Sequence, residues 1–109
     1  MYSINFTQAA DDCLNEIASF NTHRLGKEGA WDLADSLVDD IMVTLSEQPL
    51  MYPICSQLAD YGLGYRERVD DRGFRVLFLV SGDRVDVLLI LHQRQSIQDA
   101  LVRHLLAYR

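Results

Sequence analysis

The side chains best suited to chemistry in this sequence are arginines and one histidine in its second half. Arg66 and Arg68 lie in "YRERV", Arg75 lies in "FRVLFLV", and His92 follows the apolar run "VDVLLIL". A guanidinium binds anionic oxygens through several N–H donors, and an imidazole gains or loses a proton near neutral pH. If these side chains share one surface, they can bind an anionic group and exchange a proton with it.

Two turn tetrapeptides, "DDRG" and "SGDR", predict that the three C-terminal strands form consecutive β-hairpins. Four-residue loops would place Arg68 directly opposite Arg75. Arg66 and His92 would then lie on the same outer face of the sheet. Opposed like charges cost stability unless an anion compensates them, so this face is the candidate anion-binding site. Its apolar residues are expected to be exposed unless a terminal helix or a partner covers them: Leu77, Leu79, Leu88 and Ile90.

The same arginines also fit a solvated outer face with no further role. Charged strand faces are usually solvated, and several acids are available as surface partners: Asp60, Asp70, Asp71 and Asp86. In the predicted register Glu67 points towards the core, which an edge position or a β-bulge would relieve. The residues alone leave both interpretations open.

Hydrophobic periodicity predicts the elements that position these residues. "YSINF" alternates as a short strand, and Thr7 can cap a helix through "QAADDCLNEIASF". After a break bracketed by Gly26 and Gly29, a second helix carries one apolar stripe: Ala30, Leu33, Ala34, Leu37, Val38, Ile41, Met42 and Leu45. Three strands follow, and Ser96 can cap a last helix. We therefore predict an α+β fold, in which an N-terminal strand and an antiparallel helical hairpin pack on a mostly antiparallel sheet, with a C-terminal helix.

Length and composition indicate one globular domain over residues 1–109. No apolar run approaches the ~20 residues that span a bilayer, and no secretory signal is evident, so we expect a cytoplasmic protein without a membrane partner. Cys13 and Cys55 are expected to be free thiols, although a disulfide between them stays possible. Zinc-ligand spacing and glycine-rich phosphate loops are both absent, and we expect no metal and no cofactor.

The net charge of −6 with a single lysine, Lys27, limits the functions that the chain can have. Non-specific affinity for nucleic acid comes from accumulated lysine and arginine, so an acidic chain is not an obvious polyanion binder. The charge is unevenly spread, however. Acids predominate from Cys13 to Asp60, whereas most of the nine arginines follow Arg66.

A longer stretch of the sequence resembles a known family. After a short strand and a helical hairpin comes "GYRERVDDRGFRVLFLVSGDRVDVLLILHQRQS", which is similar to the RelE/ParE superfamily of bacterial toxins. These are the toxin components of type II toxin–antitoxin systems. The likeness covers nearly the whole chain in element order and residues 62–96 at the level of motifs. The last helix, with "ALVRHLL", resembles a plasmid-stabilisation subgroup.

The resemblance implies a compact toxin that a cognate antitoxin wraps and neutralises. RelE-like members enter the ribosome and cut mRNA, whereas ParE-like members inhibit DNA gyrase without being nucleases. We predict a ribosome-dependent mRNA endonuclease, which would inhibit translation and have the ribosome and mRNA as partners. A gyrase inhibitor is the alternative, and it fits the low basicity of the chain better. An inert structural module is a third possibility.

The resemblance also assigns candidate roles to residues. Arg75 matches the position that stabilises the phosphate during attack by the 2′-OH, with Arg66 and Arg94 as supporting cations. His92 is the candidate acid or base. In addition, Arg68, His104 and Tyr108 are candidate substrate-binding residues, the last two on the added C-terminal helix.

Overall fold

The computed structural model describes residues 1–92 and 94–104, and its elements follow the predicted order. They are β1 (Ser3–Phe6), α1 (Gln8–Glu47), a 3₁₀ turn (Pro49–Met51), α2 (Ser56–Ala59), β2 (Arg66–Val69), β3 (Phe74–Ser81), β4 (Arg84–His92) and α3 (Ile97–His104). The predicted α+β class is confirmed. The predicted position of Tyr108 falls outside the described residues.

Helix α1 contains both arms of the predicted hairpin. Thr7 caps it, because the Thr7 side chain accepts a hydrogen bond from the Ala10 amide at 3.2 Å. The helical path breaks at Gly26, whose φ of 74° and ψ of 170° are open essentially to glycine alone. Residues 8–25 and 27–47 form the two arms. They run antiparallel, since Leu14 and Ala34 line one groove between them.

The four strands form one sheet in the order β1-β4-β3-β2. β1 pairs in parallel with β4, placing Ile4 opposite Val85, and both hairpins are antiparallel. The arms of α1 cover the face that carries Val76 and Phe78, as shown by the hydrogen bond from Arg68 to Asp40 across it. The core between these layers is almost fully buried and includes Leu37, Ile41, Leu45, Val76, Phe78, Val85 and Val87.

The first strand hairpin differs from the predicted register. Asp70 lies opposite Phe74, and its amide donates to the Phe74 carbonyl at 2.9 Å. The loop therefore has three residues, 71–73, with Gly73 at a φ of 87°, a common geometry for such loops. Val69 consequently pairs with Arg75, one residue later than predicted. A one-residue shift turns every side chain of one strand to the other face relative to its partner.

The second hairpin confirms the predicted pairing of Val80 with Val85, but a β-bulge between Leu77 and Phe78 shifts the rest of the register. Leu77 lies opposite Leu89 rather than Leu88. The apolar residues of this part of the sheet were expected to be exposed unless a terminal helix or a partner covers them, and three of them are covered within the chain: Leu77, Leu88 and Ile90 are buried. Leu79, the fourth, is half-buried.

Helix α2 lies on the side of the sheet opposite the arms, and α3 lies beside the segment that follows α2. Gln57 of α2 accepts a hydrogen bond from Arg75, and Gln98 of α3 donates to the Tyr61 hydroxyl at 2.8 Å. Leu58 of α2 and Ile97 of α3 are buried. The sheet thus lies between the helical hairpin and a thin second layer, and both of its faces contribute to the core.

Candidate functional site

Arg66 and Arg68 face the helical hairpin and are held by groups within the chain. Arg66 donates to the Tyr52 carbonyl at 2.6 Å. Arg68 donates to the Asp40 carboxylate at 2.7 Å, and its side chain is only 14% exposed. Burial opposes the charge of Arg68, but the hydrogen bond and attraction from Asp40 outweigh it and raise the pKa of the guanidinium. Both arginines therefore connect β2 to neighbouring backbone and helix.

Arg75 lies on the opposite face of the sheet and is held there by two partners. It forms an ion pair with Glu67 and donates to the Gln57 side chain at 3.0 Å. The predicted convergence of Arg66, Arg68 and Arg75 on one face is wrong. The three-residue loop that displaced the register is the cause, and it also places Glu67 beside Arg75 instead of in the core.

His104 has a structural environment at the end of α3. Its side chain is buried, and its Nε2 lies 3.5 Å from a carboxylate oxygen of Glu16 in the first arm of α1. Arg103 reaches the other oxygen of Glu16 at 3.2 Å. These contacts hold α3 against α1.

His92 and Arg94 are the predicted site residues that the fold brings together. They line an open cleft of about 920 Å³ between the first arm of α1 and the end of β4, hereafter the arginine cleft. Its apolar lining consists of Ile17, Phe20, Leu25, Leu33 and Phe74. Its polar lining consists of Asn21, Arg24, Arg72, His92, Arg94 and Gln95.

Contacts among the lining residues hold one wall of the cleft in place. The His92 ring meets the Phe74 ring edge-on, with 5.8 Å between centroids. His92 Nδ1 accepts a hydrogen bond from the Arg94 amide at 3.3 Å, which leaves Nε2 as the donor nitrogen. Arg72 packs 5.9 Å from the Phe74 ring centre and is held by the Asp70 carboxylate and the Ser36 hydroxyl.

The charge of the cleft is positive because two of its guanidiniums have no acidic partner. Among the described residues, carboxylates pair with the following arginines: Arg68, Arg72, Arg75, Arg84 and Arg103. Arg24 donates to the Asn21 side chain at 2.7 Å, and neither Arg24 nor Arg94 has an ion pair in that part of the chain. No aspartate or glutamate is among the described residues that line the cleft.

This arrangement can bind an anionic group that is attached to an apolar one. A carboxylate or phosphate fits beside Arg24 and Arg94, and an apolar side chain fits against Phe20 and Phe74. No group of histidine, cysteine or acidic residues suited to hold a metal ion occurs in residues 1–92 and 94–104.

Sequence reasoning missed Arg24, Arg72 and Phe20 as members of the cleft. One signal was present, because Phe20 and Arg24 are four residues apart and share a helix face outside the apolar stripe. Phe20 is 79% exposed, which is unusual for a large aromatic side chain.

A helical hairpin on a four-stranded sheet, with a cationic cleft between the first arm and the end of β4, defines a small α+β domain. The model of the family described as ParE toxin of type II toxin–antitoxin system, parDE, matches residues 4–97. The chain therefore belongs to this family, and the predicted RelE/ParE resemblance is confirmed. Membership in a toxin–antitoxin family implies a cognate antitoxin as partner.

The structure is also similar to a solved chain described as "Chromosomal ParDE TA system from P. aeruginosa". The TM-score is 0.71 at 22% identity, over 84% of this chain and 96% of that one, which shows a shared fold. No curated protein matches the sequence. Across the described part of the chain, no helix combines the length and the apolar character needed to cross a membrane.

Proposed function

We propose that this toxin acts by binding DNA gyrase and inhibiting it, rather than by cutting mRNA. The observation that carries the proposal is the engagement of Arg66, Arg68 and Arg75 by partners within the chain. A ribonuclease needs cations that are free to stabilise charge on the phosphate, close to a group that moves the proton. These three arginines instead form hydrogen bonds and ion pairs within the chain, on two faces of the sheet.

The separation of Arg75 from His92 supports the same conclusion. His92 pairs with Phe74 across β3 and β4, and neighbouring residues of a strand point to opposite faces. The side chains of Arg75 and His92 therefore leave the sheet on opposite sides. An mRNA endonuclease site around His92 would therefore have to form without Arg75, the cation predicted to stabilise the phosphate.

The endonuclease remains a second candidate because His92, Arg94 and Arg72 converge on the arginine cleft. In that mechanism His92 would exchange a proton with the 2′-OH or the leaving oxygen, and Arg94 would stabilise the phosphate. This alternative also includes the catalytic or binding roles predicted for five further residues: Arg66, Arg75, Arg68, His104 and Tyr108. Either target, gyrase or ribosome, would place the protein in the bacterial cytoplasm.

Parallel assays of the purified chain separate the two functions. We expect negative supercoiling by purified gyrase to fall as the toxin is added, while mRNA in a translating extract stays intact. Addition of the cognate antitoxin should restore supercoiling.

Three variants make the comparison specific: His92→Gln, Arg94→Gln and, as a control outside the cleft, Arg84→Gln. Cleavage of mRNA at positions set by the reading frame, lost in the first two variants and kept in the third, would overturn the gyrase proposal. A preorganised cationic donor typically contributes ~10²–10³-fold to rate, so the loss would be easily measured.

A further inference from the structure

We propose that a groove between the two arms of α1 binds a basic segment of the gyrase target. A lysine or arginine side chain of that segment would lie against Trp31 and beside Asp11 and Asp35. The inference rests on the proposed function and names the part of the toxin that contacts gyrase. This groove, hereafter the interarm groove, is separate from the arginine cleft, because no described residue lines both.

The interarm groove is a concave site that combines apolar surface with exposed acids. Its volume is about 350 Å³. Leu14 and Ala34 line it and are buried, so they form its apolar floor. Asp11 of the first arm and Asp35 of the second also line it, and both are exposed. The groove therefore offers apolar contact and negative charge to the same ligand.

Trp31 makes the groove suited to a cation. Its side chain lines the groove and is 46% exposed, although tryptophan usually buries most of its large surface. The face of an aromatic ring attracts a cation, and the indole ring of tryptophan does so most strongly. Tryptophan is also enriched among the few interface residues that contribute most of the binding energy. Lysine and arginine combine a cationic head with an apolar stem, which matches this surface.

The two aspartates of the groove are available to such a ligand. Among the residues that the structure describes, five acids form ion pairs within the chain: Glu16, Asp40, Glu67, Asp70 and Asp86. Asp11 and Asp35 are not among them. An ammonium or guanidinium group that enters the groove can therefore gain charge-assisted hydrogen bonds from these carboxylates.

The charge of the whole helical hairpin supports a basic partner. Residues 8–47 contain nine aspartates and glutamates but only two basic side chains, Arg24 and Lys27, so their net charge is −7 with histidine neutral. The whole chain carries −6, which leaves +1 for all other residues. A surface of one sign attracts a ligand of the opposite sign and speeds its association. Nucleic acid, which is itself negatively charged, would be repelled.

Gyrase suits this surface because it is an enzyme that binds DNA. Proteins that bind DNA contact its phosphates with surface lysine and arginine side chains. An acidic hairpin is complementary to such a surface. Interfaces of this kind also depend strongly on salt, because ions screen the charges of both partners.

Binding of the full chain to immobilised purified gyrase, measured by biolayer interferometry, tests the proposal. Asp11→Asn and Asp35→Asn should each weaken the affinity about three- to tenfold, as expected for loss of one charge-assisted contact. The double variant should bind more weakly still and depend less on salt. Asp83→Asn removes the same charge from an exposed turn outside the groove and should change the affinity by less than about twofold.

Substitution of the tryptophan tests the apolar part of the site. Trp31→Ala should weaken gyrase binding about tenfold, and Trp31→Phe should weaken it less because an aromatic face remains. Leu50→Ala is the control, since Leu50 is 53% exposed and lies outside the groove. Thermal unfolding of every variant checks its fold. The aspartate-to-asparagine variants keep the side-chain shape, so they test the groove even if Trp31→Ala lowers stability.

Inhibition of supercoiling, measured with the same proteins, separates the failure of this inference from the failure of the proposed function. Wild-type toxin that inhibits gyrase, with equal gyrase affinity in Asp35→Asn and Trp31→Ala, would overturn the groove proposal alone. Wild-type toxin that neither binds nor inhibits gyrase would overturn both.

Two further results would overturn the groove proposal by identifying another occupant. Groove variants that lose antitoxin binding but keep their gyrase affinity would make the antitoxin the occupant. Concentration-dependent self-association that disappears in the groove variants, with gyrase affinity unchanged, would make a second copy of the chain the occupant.

Discussion

At the scale of single residues, the partners of each arginine decide what that arginine can do. Arg68 and Arg84 both have aspartate partners, but Arg68 is enclosed by the second arm of α1, whereas Arg84 is mostly exposed. An ion pair is worth more when surrounding protein shields it from water and salt. Two arginine–aspartate pairs of the same chemistry therefore differ in how much they stabilise the fold.

Replacement of Arg68 by alanine should lower the free energy of unfolding by about 1–2 kcal/mol, because Asp40 would lose a charged hydrogen-bond partner in a partly shielded site. Urea unfolding followed by circular dichroism would measure the change. Arg84→Ala is the control and should cost less than about 0.5 kcal/mol. Equal costs for the two variants would contradict a structural role of the Arg68–Asp40 pair.

The buried thiol of Cys13 should make the folded chain less stable against unfolding at alkaline pH. Burial in the core raises the pKa of its thiol from 9.0 to about 11. Above pH 9 the unfolded chain releases this proton while the folded chain keeps it, so stability present below pH 9 is lost as the pH rises towards 11.

Between pH 8 and about pH 10.5, the wild type should lose about 2 kcal/mol more of its free energy of unfolding than Cys13→Ala does. Urea titrations at several pH values would measure both slopes. Burial also raises the pKa of Tyr65, but Tyr65 is present in both proteins and cancels in the comparison. Parallel slopes would show that Cys13 titrates alike in the folded and unfolded chain.

At the scale of elements, the second arm of α1 supplies much of the core that supports the sheet. Leu37, Ile41 and Leu45 repeat at helical spacing and are all buried, while Val43 on the outer side is 61% exposed. Amphipathic packing, more than helix propensity, therefore holds this arm in place.

Leu37→Ala should cost roughly 2–5 kcal/mol of unfolding free energy, since it leaves a cavity at a site with 1% exposure. Val43→Ala removes a smaller side chain from the exposed side and should stay within about 0.5 kcal/mol of the wild type. Chemical denaturation of the two variants provides the measurement. A small cost at Leu37 would mean that neighbouring side chains close the cavity.

At the scale of the whole molecule, the toxin covers both faces of its sheet, and two arginines without an acidic partner among the described residues, Arg24 and Arg94, lie in the arginine cleft. Three of the residues that we expected a terminal helix or a partner to cover, Leu77, Leu88 and Ile90, are already buried within the chain. An antitoxin must therefore contact other surfaces, and the arginine cleft is one that the described chain leaves open.

Binding of the cognate antitoxin should stabilise the toxin by mass action. With free antitoxin at about 1,000 times its Kd, the folded toxin should gain about 4 kcal/mol, and its Tm should rise with antitoxin concentration. Thermal unfolding of the toxin with increasing antitoxin would test this, with an unrelated acidic protein as control. A Tm that does not depend on the antitoxin would contradict a binding partner for the folded state.

Local signals in the sequence were enough to determine the order of elements in this protein. The apolar stripe of the second arm, the break at Gly26 and the pairing of Val80 with Val85 each depend on residues close together in the chain. Periodicity and turn chemistry act over such short distances, so they can be read without a structure.

Only the tertiary structure decided which arginines share a surface. The Asp70 side chain accepts hydrogen bonds from the Arg72 and Phe74 amides at 2.9 Å and closes a loop one residue shorter than predicted. Because side chains alternate along a strand, the shorter loop places Arg75 and Arg68 on opposite faces of the sheet instead of on one face. A bulge also shifts the pairing register of β3 with β4. The arginine cleft joins His92 and Arg94 to Arg24 and Phe20, which are distant in sequence and meet only when the first arm packs beside β4.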